Sequence, residues 1–141
     1  MYRLIIITLV VGLFQVSFSQ ADKSSRYFKL TDTTLKSGQI FKVFTLGFDT
    51  IRSGLVLSDN TTIDSIAHLI LTLDVKKLSV IYVHPSDTTN SICEKQCRDK
   101  SEAIKKHLIQ KDVKEHTIIT QGYCWSTKDP EDSVTFMILE R

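Results

Sequence analysis

Leu78-Ser79-Val80-Ile81-Tyr82-Val83 is a run of strongly β-prone residues stopped by His84-Pro85. Its β-branched and aromatic side chains, continuous from Val80 to Val83, describe a strand buried in the middle of a sheet. Proline then disfavours any helical turn at the residue before it, so the strand ends there. Downstream, a polar loop from Ser86 to Asn90 leads into a second pattern. Cys93, Cys97, Ile104 and Leu108 are spaced four, seven and four apart, which places them on one face of a helix from about Ile92 to Gln110. After the connector 111–116, Thr117-Ile118-Ile119-Thr120-Gln121 reads as a strand closed by Gly122. A loop from Ser126 to Asp132, holding Pro130, precedes a final strand from Val134 to Leu139.

Upstream of the central strand, Ile63, Ile66, Ala67 and Ile70 fall at i, i+3, i+4 and i+7 and predict a helix reaching about Leu73. Ser58-Asp59-Asn60-Thr61 before it is rich in N-cap residues. Ile51 to Leu57, around Arg52-Ser53-Gly54, reads as a loop, and Phe44 to Phe48 as a strand ending at Asp49. Tyr27-Phe28-Lys29-Leu30 and Gln39-Ile40-Phe41-Lys42-Val43 read as a small hairpin or strand pair, with Gly38 as a turn residue. The order predicts an α/β two-layer sandwich, β-α-β-α-β-β, with both helices on one face of a mixed sheet.

The first nineteen residues have a different character. Arg3 precedes an almost unbroken apolar run from Leu4 to Phe14, followed by Ser17-Phe18-Ser19. The run is shorter than the roughly 20 residues a membrane span needs. It has the form of a secretory signal peptide with a small-x-small cleavage site, leaving Gln20 first in the mature chain. The expected organisation is a signal peptide over 1–19, an N-terminal segment over 20–38 and one domain over 39–141. No transmembrane segment is expected in the mature chain.

Eighteen Lys and Arg against 16 Asp and Glu give a formal net charge of +2, with no strongly basic window, so a nucleic-acid partner is not expected. Nucleophilic catalysis needs a Ser or Cys with a base and an orienting acid. No motif supplies that set, so no enzyme and no cofactor is expected. Cys93 and Cys97 share a helix face, but no second pair is spaced to complete a tetrahedral metal site, and none is expected. Trp125 beside Tyr123 is readable as a sugar-stacking surface or as a partly buried anchor.

Several segments, in order, resemble the OmpA-like domain, the peptidoglycan-binding module of outer-membrane protein A and its relatives. Leu46-Gly47-Phe48-Asp49 resembles its opening "I-x-F-D" strand, and Ile63-Asp64-Ser65-Ile66-Ala67 stands where the family has "L-d-x-L-A". Val80 to Asp87 is similar to "I-x-V-x-G-H-T-D". Ile92 to Leu108 is similar to "Y-N-x-x-L-S-x-x-R-A-x-x-V-x-x-Y-L", and Ile118 to Tyr123 to "I-x-x-x-G-Y-G". Lys100 stands at the family's Arg. Asp132-Ser133-Val134-Thr135 stands where paired arginines precede the last strand.

The resemblance implies an exported domain in the periplasm or at the outer-membrane periphery that binds peptidoglycan non-covalently. Its ligand, the free amino-acid end of the stem peptide, presents an ammonium and a carboxylate. By resemblance Asp87 takes the ammonium and Lys100 the carboxylate. Arginine grips a carboxylate through two parallel hydrogen bonds, whereas lysine offers a point charge. The second expectation is therefore a degenerate copy that has lost the ligand and serves as an envelope protein-interaction or structural module. On the residues alone, Asp87 is equally a cap for the second helix and Lys100 a surface lysine; His84 is a strand-end histidine or part of a ligand loop.

Export and three cysteines allow one disulfide and one free thiol. Cys93 and Cys97, one turn apart, are awkwardly placed to bridge each other. In an OmpA-like arrangement Cys124 lies in the loop after the third strand, near the start of the second helix. A bond from Cys124 to Cys97 or Cys93 is expected, with Cys97 preferred; three reduced thiols are the alternative.

Overall fold

The computed structural model describes residues 26–44, 46–87, 90–126, 128 and 130–141. The signal peptide expected over 1–19 and its cleavage site lie outside these residues. Among them the elements run β1 (Ile40–Phe44), β2 (Phe48–Ile51), β3 (Gly54–Leu57), α1 (Thr61–Thr72), β4 (Lys77–Pro85), α2 (Ser91–Gln110), β5 (Ile118–Trp125) and β6 (Ser133–Glu140). A four-stranded sheet has the order β1-β6-β4-β5; β4 and β5 are parallel, and β6 is antiparallel to both β1 and β4. No helix among the described residues is long and apolar enough to cross a membrane.

The run at 78–83 is the central strand its composition predicts, flanked by β6 and β5, with Leu78, Val80 and Tyr82 fully buried. Alternation along a strand sends every second side chain to one face. Leu78, Val80 and Tyr82 therefore share that face with Ile118, Thr120 and Gly122 of β5 and with Ile138, Phe136 and Val134 of β6. Both helices lie against this face. The predicted stripe Ile63, Ile66, Ala67 and Ile70 of α1, with Cys97, Ile104 and Leu108 of α2, joins the apolar residues of that face in one buried cluster. Asp64 ties the helices together: its Oδ1 lies 2.6 Å from His107 Nε2, and its Oδ2 accepts from Lys111 Nζ at 3.2 Å. At the start of α2 the Asn90 side chain accepts from Cys93 N–H at 2.8 Å, so the cap is Asn90 and not Asp87.

Four local readings change. The strand expected from Phe44 to Phe48 is not one element: β1 ends at Phe44, Leu46 and Gly47 lie in no strand, and β2 begins at Phe48. Residues 51–57, expected as a loop, hold the turn and return strand of a second, two-stranded sheet, in which Phe48 pairs with Leu57 and Ile51 with Gly54. Gly54 supports the tight turn with φ of +118°, a conformation open to glycine. Residues 27–30 form no strand pair with 39–43. Tyr27 makes an isolated bridge to Ile40, while β1 pairs with β6 instead. Phe28 is nonetheless buried and stacks on Phe41 with ring centroids 5.4 Å apart, which holds this segment to the core. Finally, Gly122 does not close the third strand but lies inside β5, which continues to Trp125. The reason is packing: the α2 backbone crosses directly over Gly122.

Candidate functional site

The C-terminal half of β4 carries Tyr82 and His84 on the helix-facing side, because they alternate in step with Leu78 and Val80. Lys100 reaches down from α2 and Asp132 comes from the turn just before β6. The four side chains meet. Asp132 Oδ2 accepts from Tyr82 Oη at 2.6 Å and from Lys100 Nζ at 3.1 Å, and Asp132 Oδ1 lies 2.6 Å from His84 Nδ1. Lys100 Nζ is also 3.3 Å from Tyr82 Oη. It sits 4.8 Å from the centroid of the Tyr82 ring and 5.7 Å from that of Phe48, a placement that favours a cation. Phe48 and Tyr82 meet edge to face.

The electrostatics follow from these contacts. Burial works against the charged form of Asp132, but hydrogen bonds from Tyr82, His84 and Lys100 outweigh it and hold the carboxyl below its ordinary range. Burial first, and then the Asp132 carboxylate, push the Tyr82 phenol far up, so it stays protonated and donates. Lys100 and Asp132 are each about a quarter to a third exposed, so the pair is screened only in part.

A pH prediction comes from the depressed carboxyl. Asp132 binds a proton less readily folded than unfolded, so its stabilising contribution is present above an unfolded pKa of roughly 3.9 and is lost as the pH falls through the lower folded value. Asp132→Asn should lower unfolding free energy by about 1 kcal/mol at neutral pH, given partial screening. The gap from wild type should shrink below about pH 4. Urea titrations at several pH values measure it; a gap that widens toward acid would rule the network out as the cause.

The residue predicted to hold the ligand's carboxylate is thus in a cluster, but the acid beside it is Asp132, not Asp87. Asp87 is exposed beyond the end of β4. Asp132 carried a visible signal, an acid where the resembling family has basic residues, yet nothing in the sequence paired it with Lys100. His84 faces Asp132 instead of merely ending a strand. Tyr123 and Trp125 stack with centroids 4.6 Å apart, and Trp125 is 46% exposed; strand alternation sets both on the sheet face away from the helices.

The preferred cysteine pairing is corrected. The disulfide joins Cys93 to Cys124 with Cα atoms 6.0 Å apart, an ordinary span for such a bond. Cys97 is free and buried, its Sγ 3.5 Å from Cys124 Sγ. Cys124 lies within β5, opposite His84, and so points at the helix between both candidates. Helical periodicity cannot rank two cysteines one turn apart; the seating of α2 on β5 does. Burial pushes the Cys97 thiol up and keeps it protonated.

Two clefts lie away from the cluster, one of about 590 Å³ beside Lys76, Lys77, Lys114 and His116, the other of about 480 Å³ beside Asn60, His107 and Gln110. Neither is lined by Asp87, Lys100 or Asp132.

No protein-family model and no curated protein matches the chain. Among solved structures it is similar to the OmpA-like domain of FopA1 from Francisella tularensis subsp. tularensis SCHU S4. The identity is 16% and the TM-score 0.49, over 60% of this chain and 65% of that one. The match therefore spans just under two thirds of that chain's length.

Proposed function

We propose that this chain is an exported, OmpA-like domain of the cell envelope whose stem-peptide site is closed by its own carboxylate, and that it serves as a protein-interaction or structural module. The observation that supports this reading is the Lys100–Asp132 pair. By resemblance Lys100 is the cation that receives a ligand carboxylate, and it already has Asp132 at 3.1 Å. An arriving carboxylate has to displace a tethered one that also holds Tyr82 and His84, and then lies beside its negative charge. Like charges within a few ångströms oppose such binding. Export rests on the leader at 1–19, and the Cys93–Cys124 disulfide agrees with an oxidising compartment. The reading includes no catalytic step.

A second reading keeps the ligand: Asp87 binds its ammonium and Lys100 its carboxylate. In its favour, Asp87 is exposed and Lys100 is partly so. Sedimentation with purified peptidoglycan separates the two. Self-closure expects wild type, Asp87→Ala and Lys100→Arg all to stay in the supernatant, while Asp132→Asn, which removes the competing charge, pellets. Retained binding expects wild type to pellet and Lys100→Arg to pellet more. In that case Asp87→Ala loses about tenfold or more, since a charged hydrogen bond is worth ~1.5–3 kcal/mol. Pelleting of wild type overturns the first reading.

A further inference from the structure

Packing α2 on β5 collects three sulfur atoms in one place. Cys93 and Cys97 project from one face of the helix at i and i+4, and Cys124 projects toward them from the strand. All three Sγ atoms lie within 4.8 Å of one another, with Cys97 and Cys124 at 3.5 Å. Two thiolates sharing a zinc ion, each at ~2.3 Å in tetrahedral geometry, stand roughly 3.8 Å apart. The observed spacing needs only small rotamer changes to reach that value once the Cys93–Cys124 bond is broken. Two ligands one helical turn apart, completed by a third from another element, is also the plan of many helical zinc sites. We propose that the reduced chain holds a thiophilic cation, zinc(II) or a chemical equivalent, through Cys93, Cys97 and Cys124.

This site explains a pairing of features that the disulfide alone leaves idle. A cross-link needs two cysteines, yet a third, buried, lies against it. The oxidised chain offers one thiol and is not competent; the reduced chain offers three. Cys97 and Cys124 are buried and Cys93 is partly exposed, so a cation enters from the Cys93 end. Each cysteine gives up its proton as it ligates, so affinity rises with pH. Disulfide and cation are therefore mutually exclusive occupants of one sulfur cluster.

The experiment uses the full chain, reduced anaerobically with a phosphine. The phosphine takes up the oxygen of a water molecule as the S–S bond is cleaved to two thiols, and excess reductant is then removed. Zinc(II) is titrated against a chromophoric chelator, and thermal unfolding is followed with and without one equivalent. The reduced chain should bind one zinc and unfold at higher temperature with it; the oxidised chain should do neither. Cys97→Ser keeps both disulfide partners, so its fold is verified in the oxidised state. Reduced, it should lose more affinity than the ~10- to 100-fold that removal of even an outer partner costs. Zinc should not raise its unfolding temperature. Failure of reduced wild type to bind, equal affinity in Cys97→Ser, or binding without thermal stabilisation each overturns the proposal. If reduction alone unfolds the chain, zinc must restore the folded signal in wild type and not in Cys97→Ser.

Discussion

Gly122→Ala is expected to destabilise the chain by about 3 kcal/mol or more, at the upper end of what overpacking usually costs. A Cβ built on Gly122 lies 2.7 Å from Arg98 Cα, and closer still to Arg98 N and Cys97 C. These are backbone atoms in the middle of a helix, so no rotamer change relieves the contact. Either α2 lifts off the sheet or β5, an edge strand held on one side by β4, slides away. Both moves open the core around Cys97, Ile104 and Tyr82. Urea denaturation should show a lower midpoint with an unchanged slope, the signature of lost stability without a changed unfolded state. A midpoint within error of wild type would mean that α2 does not cross β5 here.

Loss of the Cys93–Cys124 disulfide is the second large effect. It closes a loop with a sequence separation of 31, and cross-linking such a loop restricts the unfolded chain by about 3–4 kcal/mol. Cys93→Ser should lose roughly this amount, and a phosphine reductant should lower wild type by the same amount in metal-free buffer. The reductant should then have little further effect on Cys93→Ser. Cys97→Ser should keep both the disulfide and its sensitivity to reduction. If Cys97→Ser were the variant that lost reductant sensitivity, the bond would run from Cys97 to Cys124.

The framework was legible because it depends on local patterns. The β-prone run at 78–83, stopped at Pro85, reads as an interior strand. The apolar positions of 63–70 and 93–108 repeat at the helical period, and their helices appear within a few residues of the predicted limits. The hairpin at 48–57 was not legible, since its strands are four residues each and show no clean alternation. Strands this short take their shape from pairing and from what covers them. The candidate site was half visible. Lys100 and Asp132 both stood out against the resemblance, one as a lysine where it leads one to expect an arginine and the other as an acid where it leads one to expect basic residues. Their meeting depends on β6 returning between β1 and β4, which brings together residues with a sequence separation of 32.

The sequence by itself determined the α/β class, the order of the main strands and helices and the buried face of each. These follow from propensity and periodicity, which act over a few residues. It also determined that three cysteines had to be accommodated. Only the tertiary structure decided that Cys124 bonds Cys93 and leaves Cys97 beside it, that Gly122 is a crossing point and not a strand end, and that Lys100 answers to Asp132. Each of those outcomes turns on how elements distant in the chain sit against one another. Packing and strand register set such placements, and local residue preferences carry no information about them.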